Sequence, residues 1–408
     1  MQMENLNADT RRIMNLGTAE GVLINMVVPG STAAAAGFRK GDVLLSINEV
    51  TMKDTRTAVD YVGGRRGGEP FTYTLIRDGK KISGSASFSP YPKEQYPDLE
   101  LSYSQVKTEL GLQRVIISRQ KGKKDAPVVF FIGGIGCYSL DTPLDTARSE
   151  TRLLNQLTRA GFTTVRLEKP GMGDAAGRSR DCEKIGFLEE VAGYVQAIEA
   201  VRKETGEAKD IYLIGHSMGG LMAPMIAAKT EVKGIIAYGT IGSSFIECLA
   251  KTRRTIGAAY GWSPEETDDY IKTYCECASL YFVNGLSTSE AVRKKPECGE
   301  YLSIFDLRSR KYNEELYAIN IPAVWKEYKG KALLAWGESD YIAAAEDHQI
   351  ITETVNRYHP GNASYLPVKE TDHGMQLAQS FSEARTNPGP YNKAVGDLFI
   401  SWLKKQSR

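Results

Sequence analysis

Two patterns of apolar and polar positions divide this chain. In the first ninety residues the apolar runs are short, mixed with polar positions and punctuated by glycine. Residues 21–28 (GVLINMVV), the run 39–48 (RKGDVLLSIN) and residues 71–77 before the turn Asp78-Gly79-Lys80 read as extended strands. A short alanine-rich helix is expected to end at Gly37 and another helical stretch lies around 55–62. Three prolines in residues 89–97 (SPYPKEQYP) cannot sustain a helix or a central strand, so a first domain is expected over 1–90 and a linker over 91–98. Beyond it, 99–106 and 112–119 read as an antiparallel pair. Apolar strands then recur with helical stretches between them, at 128–132, 163–167, 211–214, 234–238, 332–336 and 363–366. That alternation predicts a mostly parallel α/β sheet over 99–408. Between the strands at 234 and 332 the pattern turns helical, at 245–255, 264–281, 287–295 and 312–318, so a helical insert is expected at about 243–327.

Length and charge narrow the class of protein. A chain of 408 residues suits two domains, and 51 basic against 50 acidic residues with no long basic run gives no ground for a nucleic-acid partner. No apolar stretch reaches about 18 residues, so no membrane span is expected. The opening MQMENLNADT is polar where a signal peptide has an apolar core, which points to a cytoplasmic location, with export the alternative if a leader has been removed. The six cysteines are scattered through a chain large enough to fold without cross-links, so they are expected to stay unpaired in a reducing compartment. Cys275-Glu276-Cys277 has no histidine near it and is expected to pack in a helical segment rather than bind metal.

The run 27–48 (VVPGSTAAAAGFRKGDVLLSIN), followed by IRDGK at 76–80, resembles the bacterial-type PDZ domain over nearly the whole first segment. The resemblance implies a small β-rich sandwich or barrel whose groove takes an extended peptide, often a protein C-terminus, as an added strand. A module used for packing or dimerisation is the alternative.

Candidate chemistry centres on Gly215-His216-Ser217-Met218-Gly219, which joins the apolar strand ending at Ile214 to the buried helical run 221–228 (LMAPMIAA). The bare GxSxG pattern is weak. At a strand-to-helix turn, however, it has the context of a nucleophile elbow, where two glycines permit a tight bend that lifts the Ser217 hydroxyl clear of the sheet. A serine becomes a nucleophile only when a base takes its proton. Of four histidines, His216 adjoins the serine and points away from it, while His348, in a polar helix, and His359, in a loop, are expected at the surface. His373, in a loop after the last strand, remains as the base. Asp340, a short turn after the strand at 332–336, leads as its acid, with Glu338 and Asp372 as rivals.

From about residue 98 onward the chain resembles the α/β-hydrolase family. The resemblance is carried by that pentad, by Gly133-Gly134-Ile135-Gly136, Gly171-Met172-Gly173-Asp174, Gly337-Glu338-Ser339-Asp340 and Asp372-His373-Gly374, all at strand ends and in family order. It implies an α/β-hydrolase fold with the insert as a cap over the active site, and a triad of Ser217, Asp340 and His373. It also implies an oxyanion hole made by the backbone N–H groups of Ile135 and Met218. Cys137 and Tyr138 are expected to line the substrate pocket, and no cofactor or metal is required. The glycine loop lacks the Lys-Ser/Thr ending of a phosphate-binding loop. The expected activity is a serine hydrolase cleaving a carboxylic ester or related acyl bond of a small molecule through an acyl-enzyme on Ser217. A serine peptidase acting on peptides presented by the PDZ-like module is one alternative, and a peptide-binding scaffold with a vestigial hydrolase fold is another.

Overall fold

The computed structural model describes all of the chain except positions 15, 19, 124, 206–209 and 408. Two units can be taken separately, Met1–Lys93 and Glu94–Arg408. The first contains β1 (Gln2–Asn5), α1 (Ala8–Ile13), β2 (Val22–Met26), α2 (Thr32–Ala35), β3 (Val43–Ile47), β4 (Val50–Thr51), α3 (Thr55–Gly63), β5 (Pro70–Arg77) and β6 (Lys80–Ser87). Its strands run antiparallel in the order β1-β2-β3-β5-β6, with β4 beside β3. The apolar positions of these runs explain the arrangement: Val22 and Ile24, Leu44 and Ile47, Phe71 and Leu75 meet Phe38, Ala58 and Phe88 in one core. Asp54 caps α3 by accepting from the Thr57 N–H, and buried Asp42 pairs with Arg77 at 2.7 Å.

The second unit is built on β7 (Leu99–Thr108), β8 (Gly111–Gln120), β9 (Val128–Ile132), β10 (Thr163–Leu167), β11 (Ile211–His216), β12 (Gly234–Tyr238), β13 (Lys331–Gly337) and β14 (Ala363–Val368). The spatial order is β14-β13-β12-β11-β9-β10-β8-β7. β7, β8 and β10 pair antiparallel, and every other pairing is parallel. The central strands β9, β11, β12 and β13 read as largely apolar runs because both faces are covered. Along β9, Val128, Phe130 and Ile132 enter one cluster with residues of α5 (Phe187–Thr205) and α6 (Met218–Ala227). Val129 and Phe131 enter the other, with residues of α4 (Ser149–Arg159) and the C-terminal helix Lys393–Gln406.

The insert between β12 and β13 holds α7 (Phe245–Tyr260), α8 (Pro264–Phe282), α9 (Thr288–Lys294), α10 (Cys298–Leu302), α11 (Arg310–Ala318) and α12 (Ile321–Lys326). Reciprocal capping boxes, Ser263 with Glu266 and Ser287 with Glu290, fix the starts of α8 and α9. Of the aromatic residues here, Tyr274, Tyr281 and Phe305 are buried as the insert's own core, while Tyr260 is exposed. The chain then continues through α13 (Ala345–Tyr358) and α14 (Phe381–Thr386) to the C-terminal α15 (Lys393–Gln406).

Three sequence expectations need correction or refinement. Four of the six cysteines are paired, as Cys137–Cys182 and Cys277–Cys298, leaving Cys248 buried and Cys275 exposed as free thiols. The partners lie 45 and 21 residues apart and meet only through tertiary packing, so no local pattern announces them. His348 is fully buried rather than exposed, accepting from the Thr240 N–H at 3.1 Å and donating to the Ala344 carbonyl at 2.9 Å. Within the span expected as linker, Glu94 is buried in the second unit, bonded to Arg166 at 2.7 Å and to the Thr142 N–H at 2.8 Å.

Candidate active site

Strand order brings the candidate groups together. β9 and β11 are neighbours with Ile132 opposite Gly215, so the glycine loop after β9 and the serine after β11 leave the sheet side by side. A Cβ placed on Gly134 would lie 3.3 Å from the Ser217 Cβ and 3.6 Å from its hydroxyl oxygen. Ser217 has φ 55° and ψ −122°, a strained conformation for a residue with a side chain. The strain is held by its surroundings: its N–H donates to the Tyr238 carbonyl at 2.8 Å, and the bend closes so tightly that a Cβ on Gly215 would meet the Gly219 carbonyl at 2.3 Å. On Gly219 it would meet the Ile132 carbonyl at 2.2 Å. This is the elbow the pentad implies.

Asp340, with no exposed surface, follows β13. Its Oδ1 accepts from the N–H groups of Ile342 and Ala343 at 2.8 and 2.9 Å, and its Oδ2 lies 2.9 Å from His373 Nδ1. A carboxylate on Nδ1 fixes the proton there and leaves Nε2 as the basic nitrogen. Burial alone would push the imidazole's pKa down, but the charge and hydrogen bond of Asp340 outweigh this and hold it above the ordinary value. The rivals fall away. Glu338 is exposed, and Asp372 spends its carboxylate on the Gln376 N–H at 2.7 Å. His216, next to the serine, turns its ring to the backbone of His373, with Nε2 donating to that carbonyl at 2.8 Å; burial pushes its pKa down to about 4, so it stays neutral. Among the described residues no hydrogen bond joins the Ser217 hydroxyl to the His373 ring, a contact that commonly tightens only when substrate binds.

Met218 opens α6, where a backbone N–H has no partner within the helix. Ile135, half-buried, packs on the cluster that includes Met218, Phe245 and Phe305. The two residues expected to line the pocket serve the loop itself: the Tyr138 hydroxyl accepts from the Gly134 N–H at 3.0 Å, and Cys137 is bonded to Cys182. Sequence reasoning did not single out Lys169, Glu190 and Arg308, a buried charged group behind the glycine loop. Three charges scattered over 140 positions give no local signal. Among the described residues no cluster of His, Cys, Asp or Glu could hold a metal ion, and no helix is long and apolar enough to cross a membrane.

Fold and site together define an α/β-hydrolase domain preceded by a PDZ domain. The family model for the PDZ domain matches residues 1–86, and that for the serine aminopeptidases of family S33 matches residues 145–269. The periplasmic serine endoprotease DegP of Escherichia coli K12 is 32% identical over 78 residues, covering 19% of this chain and 16% of that protein. A probable DegP-like periplasmic serine endoprotease of Pseudomonas putida is 29% identical over 112 residues, 28% of this chain and 22% of that protein. The chain thus spans about a fifth of the length of these relatives. Among solved structures, Est1E of Butyrivibrio proteoclasticus with ferulic acid bound has a TM-score of 0.48 at 14% identity, covering 74% of this chain and 98% of that one. The acylaminoacyl peptidase of Pyrococcus horikoshii has a TM-score of 0.46 at 15% identity, covering 82% of this chain and 48% of that one.

Proposed function

We propose that this chain is a serine hydrolase that cleaves a carboxylic ester or related acyl bond through an acyl-enzyme on Ser217. His373 Nε2 takes the hydroxyl proton as the oxygen attacks and later delivers it to the leaving group, and Asp340 holds the ring and stabilises the imidazolium. The N–H groups of Met218 and Ile135 receive the developing oxyanion, each contributing about 3 kcal/mol to the transition state. Water then releases the acyl group by the same steps in reverse, and no cofactor enters. The observation that carries the reading is the 2.9 Å bond between buried Asp340, after β13, and His373 Nδ1, after β14, in the same sheet whose β11 leads into the strained Ser217.

A second reading, a serine peptidase, is favoured by the match to the serine aminopeptidase family and by a PDZ domain similar to that of DegP, which would bring an extended peptide or protein C-terminus to the same chain. The two disulfides favour work in an oxidising compartment. A fluorophosphonate probe read by intact mass and peptide mapping tests the chemistry. One adduct at Ser217, lost in Ser217→Ala and His373→Ala, is expected; a folded wild type that gains none refutes it. Rates on p-nitrophenyl esters against aminoacyl-naphthylamides then divide esterase from peptidase.

A further inference from the structure

Behind the glycine loop lies a cluster of buried charge that the hydrolytic steps leave unused. Lys169, two residues past β10, donates to the Gly134 carbonyl, and Arg308, supplied by the insert, donates to the Ile135 carbonyl at 2.8 Å. Glu190 of α5 joins the two cations, lying 3.0 Å from Lys169 and bonded to Arg308. None of the three side chains is more than 2% exposed. Removing such a group from water is costly, and apolar residues of equal volume often stabilise a fold as well or better, so packing alone does not account for it.

The geometry of the peptide unit supplies an account. In a trans peptide the C=O and N–H point in opposite directions. Lys169 and Arg308 meet on one carboxylate and each holds a carbonyl of the loop, so the N–H of the same peptide, that of Ile135 or of Gly136, points away from the cation that holds it. Successive N–H groups turned the same way make a concave seat for an anion. Among the described residues neither of these two N–H groups has a hydrogen-bond partner, whereas that of Gly134 is taken by the Tyr138 hydroxyl at 3.0 Å. One carboxylate against two cations also leaves net positive charge behind the seat.

We propose that Lys169 and Arg308, tied together by Glu190, are positioning residues that lock two consecutive peptide units of the glycine loop with their N–H groups presented to the oxyanion, Gly136 supplying a donor beyond Ile135 and Met218. This rests on Ser217 being the nucleophile. Steady-state kinetics on p-nitrophenyl butyrate are compared for wild type, Lys169→Met, Glu190→Gln, Arg308→Met and Arg308→Lys. Inhibition by a trifluoromethyl ketone, whose serine adduct bears the oxyanion, is measured beside the matching secondary alcohol, which forms none. Lys169→Met and Arg308→Met are expected to lose kcat on the order of 10²-fold with KM little changed, to lose ketone affinity by a like factor, and to keep the alcohol's. Arg308→Lys, which retains a cationic donor, is expected to recover most of that loss.

Folded variants that keep kcat and ketone affinity within about threefold of wild type overturn the proposal. If Lys169→Met does not fold, Glu190→Gln and the two Arg308 variants carry the same comparison. A wild type inert to the esters and to the fluorophosphonate refutes the hydrolase reading instead. Crystal structures then decide the positioning claim without activity: a Gly134–Ile135 peptide rotated in the Lys169 variant, or an Ile135–Gly136 peptide rotated in the Arg308→Met variant, supports it, and peptides unmoved in both overturn it.

Discussion

Replacing Gly239 by alanine tests the catalytic role proposed for the His373–Asp340 pair apart from the stability of the fold. Gly239 follows β12 at φ +60°, and a Cβ there would come 2.9 Å from His373 Nδ1 and 3.1 Å from Asp340 Oδ2. Two costs follow. The left-handed backbone costs about 1–2 kcal/mol for any residue with a Cβ, a loss of a few degrees in Tm. The methyl group needs about 3.5 Å from its neighbours, so the ring must retreat by roughly 0.6 Å and the carboxylate by roughly 0.4 Å. A group lodged against both partners stretches the 2.9 Å bond that orients the base. A misplacement on the scale of 1 Å costs about 10²-fold in rate, and complete loss of the aspartate's hold about 10⁴-fold. The expected fall in kcat/KM lies between these limits. Gly361→Ala is the control, because Gly361 has φ +75° and nothing within 4 Å of its added Cβ. It bears the same backbone cost and is expected to leave activity intact. Both variants are assayed on p-nitrophenyl butyrate alongside thermal melts. A Gly239→Ala enzyme within about threefold of Gly361→Ala refutes the claim that this pair drives hydrolysis.

Asp340→Asn is expected to lower kcat by about 10⁴-fold and to move the acidic limb of the kcat/KM profile down from above the ordinary imidazole value of about 6.5, since the charge that raises the His373 pKa is gone; an unmoved limb argues against His373 as the base. For acid stability, the neutral buried His216 has its pKa pushed down to about 4, so as pH falls below about 6.5 the unfolded chain takes up that proton first. The His216 contribution is then complete above pH 6.5 and falls by about 3 kcal/mol as pH drops to about 4. His348, lowered by burial, adds the same sign, whereas His373, raised, is protonated in both states over most of that window. Urea unfolding at several pH values is expected to show a flatter acid slope for His216→Gln, and an identical slope contradicts the reasoning. Reduction of Cys137–Cys182 and Cys277–Cys298, which close spans of 45 and 21 residues, is expected to cost about 4 and 3 kcal/mol in turn. Melts with and without a phosphine reductant check this, and coincident curves refute it.

What could be read in the sequence follows from how local each signal is. The strands at 128–132 and 234–238 coincide with β9 and β12 because a strand covered on both faces writes itself as an unbroken apolar run, and β10 coincides with 163–167 although it carries buried Thr163, Thr164 and Arg166. The places of Ser217, Asp340 and His373 at strand ends could be read from the sequence because each lies beside glycine or a tight turn, where backbone constraint restricts the residues that fit. α6 begins at Met218, earlier than the apolar run at 221, because Gly219 and Gly220 carry no pattern and yet lie in its first turn. The short helices α10 and α12 were missed for the same want of periodicity. His348 looked exposed because its helix is polar by count; burial is decided by the face turned toward Thr240. The disulfides and the Lys169–Glu190–Arg308 group pair residues from distant parts of the chain, and only tertiary structure reveals such pairs.

An insert hung between two strands is ordinarily the interchangeable part of such an enzyme, the piece that can be exchanged to retarget it. In this protein the exchange carries a hidden liability. Position 308 belongs to the insert by sequence and to the glycine loop by contact, so a foreign insert lacking an arginine there strands the Glu190 carboxylate beside Lys169 and frees the Ile135 carbonyl. A chimera can gain a new pocket and still turn over slowly. Redesign must therefore treat the segment from Ser303 to Arg310 as inherited with the core, together with the buried face of α8 that Phe305 and Arg310 meet at Tyr281.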